Sequence, residues 1–249
     1  MAKTMRVDKL LSHMGCGTRS EIKKWTKAGL IQVNGAVIKD SGKQVHPEQD
    51  EIRLDGELIR YREFIYVMLN KPPGVVSATE DRHDPTVVEL LADELQAFEP
   101  FPVGRLDKDT EGLLLLSNDG KLAHELLAPK KHVPKTYYAK VQGRVDDADI
   151  RAFEAGVTLD DGYVTKPAHL TITSVEEGAL LTTSHIELTI SEGKFHQVKR
   201  MFEAVGKKVT YLKRLSMGAL VLDEALSLGE WRELTDEELH ALKNTSLSE

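Results

Sequence analysis

The sequence predicts an α+β protein in two parts, a small unit over residues 1–60 and a larger one over 61–249 built on a mostly antiparallel, mixed sheet. Three observations lead there. Strand candidates are many and the helices between them irregular, without the strand–helix alternation of a parallel α/β fold. A hairpin signal, Asn34-Gly35, and a further turn, Asp55-Gly56, fall early in the chain. The charge also divides: residues 1–45 hold nine Lys/Arg and three acids, a balance of +6, whereas the whole chain of 249 residues carries −7 and the remainder therefore −13.

Taken in order, Val7, Leu10, Leu11 and Met14 recur at the i, i+3, i+4, i+7 spacing of one helical face, which Gly15-Cys16-Gly17 stops. Thr18 opens a second helix, with Glu21 three residues on as the other half of a capping box, and Gly29 ends it. Ile22 and Trp25 point one way from this helix, and Lys23, Lys24 and Lys27 centre on nearly the opposite side. Ile31–Val33 and Val37-Ile38 flank the Asn34-Gly35 turn, Glu51–Leu54 precedes Asp55-Gly56, and the polar stretch 55–63 reads as a linker. Phe64–Leu69 is a dense apolar strand that ends at Asn70-Lys71-Pro72-Pro73-Gly74. Further strands are predicted at Val75–Ala78, Leu113–Leu116, Tyr137–Val141, Leu170–Thr173, His185–Ile190, Val209–Leu212 and Leu220–Leu222. Helices are predicted at Thr86–Leu95, Lys121–Leu127, Ala148–Ala155, Phe195–Val205 and Asp236–Leu242.

Composition narrows the functional classes. No run approaches the length of a membrane-spanning helix, and Met1 to Asp8 carry charges in place of an apolar signal core. The single cysteine, Cys16, can form neither an intramolecular disulfide nor a cysteine-based zinc site. A soluble, cytoplasmic protein is the expectation, with no membrane partner. There is no glycine-rich dinucleotide fingerprint and no P-loop, so no nucleotide cofactor is expected. His83, Asp84, Asp107 and His124 do not fall at ligand spacing, so a metal-dependent hydrolase is disfavoured and no metal is expected. The basic start points to a polyanion, against the plainer reading of a solvated basic face.

Arg6-Val7-Asp8-Lys9-Leu10-Leu11, Thr18-Arg19-Ser20 and Gly29-Leu30-Ile31-Gln32-Val33-Asn34-Gly35 resemble the S4 domain, an RNA-binding module. The resemblance covers roughly residues 5–55. It implies that Arg6, Lys9, Arg19, Lys23, Lys24 and Lys27 contact phosphates, which supplies affinity but little base specificity.

A second resemblance spans residues 64–239. The run Val103-Gly104-Arg105-Leu106-Asp107-Lys108-Asp109-Thr110-Glu111-Gly112 through Gly120 looks like the catalytic segment of pseudouridine synthases. Lys135-Thr136-Tyr137 and Glu192-Gly193-Lys194-Phe195-His196-Gln197-Val198-Lys199-Arg200-Met201-Phe202 look like their second and third motifs, with Asn70-Lys71-Pro72 and Gly229-Glu230-Trp231-Arg232 completing the pattern. The match is to the branch that carries an N-terminal S4 domain and modifies ribosomal RNA. Within it, residues 196–206, Leu212-Lys213-Arg214 and Thr165-Lys166-Pro167-Ala168 are most similar to the small-subunit enzymes. That implies one uridine of 16S rRNA as target, position 516 in the usual rRNA numbering, within ribosomal RNA or a small-subunit assembly intermediate. A large-subunit uridine and a non-catalytic rRNA-binding assembly factor are the competing readings.

The resemblance implies a catalytic set of Asp107, Tyr137 and Lys199. Charge alone does not choose among Asp107, Asp109 and Glu111; the family motif selects Asp107. Strand alternation places Tyr137 with Ala139 and Val141 on the apolar face, where either an active-site floor or an ordinary core tyrosine would sit. Phe195, Val198, Met201, Phe202 and Val205 form one helical stripe. Lys199 lies at its edge, able to reach a half-buried carboxylate or merely to snorkel, and Arg200 lies outside it, toward solvent or phosphate. Many synthases outside this branch have Arg at the Lys199 position; Lys pairs as a point charge without a bidentate fork.

Forming pseudouridine breaks the N1–C1′ bond, turns the detached uracil and rejoins it through C5, with no redox change. The resemblance implies an essential Asp107 carboxylate, as nucleophile at C1′ or base at C2′, with Lys199 paired to it. Tyr137 would stack on the uracil and serve in removal of the C5 proton. The target must leave its stack, so Arg105, His196 and Gln197 are candidates to hold the flipped nucleotide or fill its gap.

Overall fold

The computed structural model describes residues 4–179 and 181–247; Lys3, one of the nine basic residues counted above, lies outside them. The chain forms two compact units. One runs to Ile65 and also takes in Leu91–Pro100; the other comprises Tyr66–Leu90 and the chain from Phe101 onward.

In the first unit a short strand β1 (Met5–Arg6) pairs antiparallel with β4 (Gln44–Val45), and helices α1 (Val7–His13) and α2 (Arg19–Ala28) follow β1. The capping box forms: the Thr18 hydroxyl accepts from the Glu21 amide, and the Glu21 carboxylate accepts from the Thr18 amide at 2.9 Å. Gly29 ends α2 at φ 83°, a left-handed conformation that costs glycine little. Strands β2 (Ile31–Val33), β3 (Ala36–Val37), β5 (Ile52–Leu54) and β6 (Glu57–Ile59) form an antiparallel sheet in the order β3-β2-β5-β6. The presence of β6 corrects the linker expected over 55–63. Asp55 and Gly56 both adopt positive φ, so the chain turns back at once and Ile59 pairs with Ile52. Val7, Leu10, Leu11, Ile22, Ile31 and Ile52 fill the core between helices and sheet.

The helix expected over Thr86–Leu95 is broken into a 3₁₀ turn (Val88–Leu90) and a short helix α3 (Asp93–Gln96). The break falls where the chain passes from one unit to the other. Trp231 Nε1 donates to the Leu90 carbonyl in the second unit, while Phe98 and His13 meet edge to face in the first. Burial in two separate cores leaves no single stripe for one continuous helix.

The second unit is built from β7 (Tyr66–Lys71), β8 (Phe101–Val103), β9 (Glu111–Ser117), β10 (Lys135–Gln142), β11 (His169–Glu177), β12 (Thr182–Ile190), β13 (Lys208–Met217), β14 (Leu220–Val221) and β15 (Trp231–Glu233). Its main order is β11-β12-β10-β13-β9-β7-β15, with β14 added beside β13 and β8 beside β9. All pairings are antiparallel except β9 with β13. Helices α4 (Gly120–Leu127), α5 (Asp147–Ala155), α6 (Gln197–Ala204) and α7 (Asp236–Leu247) complete the unit. The predicted strand Val75–Ala78 is absent; only Val76 makes an isolated bridge, to Thr86. Leu113–Leu116 are buried on both faces of β9, as a central strand requires.

Candidate active site

The loop between β8 and β9 carries Asp107, and its backbone is tied at several points. The Lys71 ammonium, wholly buried at the end of β7, donates to the carbonyls of Pro72 and Thr110 at 2.9 Å and of Lys108 at 3.3 Å. Burial lowers the Lys71 pKa to about 8, against the pull of Asp109, Asp107 and Glu111. The Ser77 hydroxyl donates to the Leu106 carbonyl and accepts from its amide, and the Gly74 amide donates to Lys108. With its backbone so held, the loop presents the Asp107 side chain to a cavity of about 850 Å³. That volume lies within the range of ligand-binding clefts.

Lys199 on α6 reaches Asp107 Oδ2 at 3.0 Å and Asp109 Oδ1 at 2.7 Å. Burial would lower its pKa, but bonds to Asp109 and Asp107 outweigh that and raise it. Burial likewise pushes Asp109 up, and Lys199 brings it below the usual carboxylate value. The stripe logic holds for Val198, Met201 and Phe202, all buried, and puts Lys199 where it meets the carboxylates. It fails at the start of the helix. His196 has φ 48° and caps α6, so Phe195 falls outside the helix, 75% exposed and stacked on the His196 ring at 3.7 Å. His196 Nε2 stands 3.6 Å from Asp107 Oδ1.

Tyr137 alternates as expected: with Ala139 and Val141 it is buried, and it lines the cavity. Tyr138 faces the other way and bonds His185 at 2.6 Å.

Two expectations are corrected. Arg200 does not face solvent. Its guanidinium is clamped by Asp160 and Asp161, with Nε to Asp160 at 2.6 Å, and its side chain is only 14% exposed, less than that of Lys199. Both acids come from the loop after α5, which closes over a position that helical spacing alone leaves outside. Gln197 is buried, and its amide is spent on the protein: Nε2 donates to Glu192 at 2.7 Å and Oε1 accepts from the Lys194 amide. Arg105, by contrast, is exposed at the cavity with no hydrogen bond to any described residue.

Two residues emerge that sequence reasoning passed over. Glu192 accepts from Tyr163 Oη, the Lys166 amide and Gln197, tying the 163–166 segment to the start of α6. Arg214 is buried on β13, directly opposite Tyr137 on β10. Their signals were present in Glu192-Gly193 and Leu212-x-Arg214, but only as motif letters without a geometric role. Among the described residues no three His, Cys, Asp or Glu side chains gather as a metal site.

The sequence pattern of the RNA pseudouridylate synthase family matches residues 65–204. The chain belongs to this family. Residues 5–52 of the synthase match the S4 domain. An RNA pseudouridine synthase of Bacillus subtilis, YtzG, is 55% identical over 238 residues, covering 96% of this chain and 98% of its own. Ribosomal small subunit pseudouridine synthase A of Yersinia pestis is 39% identical, with 94% of this chain and 97% of that one covered. Ribosomal large subunit pseudouridine synthase B of Bacillus subtilis is also 39% identical, with 96% and 95% covered. A crystal structure of a pseudouridylate synthase matches with a TM-score of 0.66 at 38% identity, over 96% of this chain and 99% of that one.

The S4 domain of this RNA-modifying isomerase carries the basic face. Lys9, Arg19, Lys23, Lys24 and Lys27 are exposed and form no salt bridge with any described residue. Arg6 is the exception, held by Asp8 through two bonds of 3.0 and 2.6 Å. A phosphate would have to compete with Asp8 for it.

Proposed function

We propose that the synthase isomerises one uridine of 16S rRNA to pseudouridine, at the position equivalent to 516, with Asp107 as the essential carboxylate. The observation that carries the assignment of Asp107 is its ion pair with Lys199 at a cavity lined by Tyr137. Asp109 shares Lys199 but is far more exposed, its side chain 73% against 28% for Asp107. Lys199 holds the Asp107 charge in place, and Tyr137 stacks on the uracil. Arg105 and His196 support the flipped nucleotide, while Gln197 acts through Glu192 and the Lys194 backbone. The free cations of α2, with Lys9, supply phosphate contacts. The RNA is met in the cytoplasm, within a small-subunit assembly intermediate, and no cofactor takes part.

The small-subunit reading draws on relatives named for that activity and on the 163–168 segment, whose Tyr163 and Lys166 line the cavity. Equal identity to a large-subunit synthase favours, as a second reading, a uridine of the large-subunit RNA. Mapping pseudouridine in both ribosomal RNAs of a deletion strain, with and without the gene restored, separates them. Loss and recovery of a single 16S site is the expected result; loss confined to the large-subunit RNA would overturn the proposal.

A further inference from the structure

Arg214 is only 2% exposed, yet it lines the cavity. Its Nε donates to the Leu113 carbonyl at 2.7 Å, while Nη2 is buried without a partner, and no carboxylate pairs with the guanidinium among the described residues. A buried cation with an unmade hydrogen bond is costly, and such groups are retained where something else completes them. The backbone that carries the side chain is also held in place. Arg214 pairs with Gly112 across the β9–β13 contact, so closely that a Cβ on Gly112 would lie 2.3 Å from the Arg214 carbonyl oxygen. As the cross-strand partner of Tyr137, Arg214 occupies the same face of the sheet.

We propose that Arg214 stabilises the departing uracil by donating a guanidinium N–H to one of its carbonyl oxygens. This rests on the reading of the cavity as the uridine-isomerising site. When the N1–C1′ bond breaks, its electron pair leaves with the base, and the negative charge spreads from N1 onto O2 and O4. Asp107 and Lys199 serve the ribose end. The base end needs a donor already in position, because preorganised donors stabilise developing charge most effectively where water is excluded. C5 then forms the new bond to C1′, and the proton lost from C5 is balanced by one gained at N1. Arg214 neither gives up nor takes a proton, since a guanidinium remains charged. Lys135, also lining the cavity, adds a second positive charge: its ammonium donates to the Val133 carbonyl, and burial together with Arg214 brings its pKa down to about 8. An RNA phosphate oxygen is the other acceptor with suitable chemistry, and the two can be told apart because only the base changes charge during cleavage.

The test compares wild type with Arg214→Gln in single-turnover glycosidic cleavage of two RNAs, one with uridine and one with 5-fluorouridine at the target position. Fluorouracil is the better leaving group and needs less stabilisation. The variant should slow cleavage of the uridine RNA by about 10²–10³-fold, and that of the fluorouridine RNA by a distinctly smaller factor. Equal losses on the two RNAs, as a structural or phosphate-binding role would give, or no loss on either, would overturn the proposal. Arg214→Lys, which keeps the buried charge without the fork, is measured alongside, so that a Gln variant that fails to melt cooperatively still leaves the same comparison. Wild-type turnover of the uridine RNA tests the underlying reading separately.

Discussion

On α2 the side chains of Lys23, Lys24 and Lys27 stand in solvent without ion pairs to any described residue, whereas in the catalytic unit Lys71, Lys199, Arg200 and Arg214 are buried or half-buried. Lys71 is saturated by three carbonyls, Lys199 and Arg200 each hold two carboxylates, and Arg214 Nη2 has no partner among the described residues. The residue types are the same, but their surroundings set different tasks. An exposed cation exchanges one set of counterions for another and acts through salt-dependent affinity. A buried one must be satisfied by particular atoms, so it fixes geometry and local charge.

The sharpest separation should come from Asp107→Asn. It keeps the size of the side chain and removes the charge to which Lys199 answers. Single-turnover rates should fall by about 10⁴-fold or more, while RNA affinity in a filter-binding titration stays within a fewfold of wild type. Substantial residual turnover would transfer the role to Asp109 or Glu111.

Next come the neighbours Lys199 and Arg200. Lys199→Met should reduce the chemical step by about 10²–10³-fold. Arg200→Met should cost mainly melting temperature, because it releases Asp160 and Asp161 and loosens the loop after α5. If Arg200→Met proved the more damaging to single-turnover rate, the division of labour on α6 would be reversed.

Replacing Lys23, Lys24 and Lys27 together with alanine should leave turnover at saturating RNA near wild type. It should reduce the slope of log K against log salt by up to about 2–3. An unchanged slope would move the phosphate footprint off α2. This substitution tests the S4 domain more cleanly than removal of residues 1–60, since Leu91–Pro100 belongs to the same compact unit and would lose its packing.

The smallest effect concerns Lys71. Its folded pKa of about 8 lies below the roughly 10.4 of an unfolded lysine, so between those values the unfolded chain binds more protons. Its contribution to stability should therefore become more favourable as pH rises from about 8 to 10. Urea midpoints for wild type and Lys71→Met, compared across that window, should show the wild type gaining relative to the variant. Parallel curves would mean that the buried ammonium does not titrate there.

Several features were legible locally. The Thr18–Glu21 capping box, the turns at Asn34-Gly35 and Asp55-Gly56, the alternation that buries Tyr137 and exposes Tyr138 to His185, and the register that carries Lys199 toward the carboxylates all depend on residues a few positions apart. Backbone geometry repeats over that range, so the sequence by itself determined them. It also determined the order of motifs by which the family is recognised. The remaining features lay in pairings over long separations: Arg200 with Asp160, 40 residues away; Lys199 with Asp107, 92 away; Arg214 with Leu113, 101 away. No local period encodes which side chain will meet which carbonyl or carboxylate once the strands are laid side by side. Only the tertiary structure decided that Arg200 is enclosed, that Gln197 is spent on Glu192, that Leu91–Pro100 returns to the first unit, and that a guanidinium with an open N–H lies opposite Tyr137. The physical reason is that burial and pairing of charge are properties of the assembled sheet and its loops, where desolvation and partner geometry outweigh what any single helix or strand prefers.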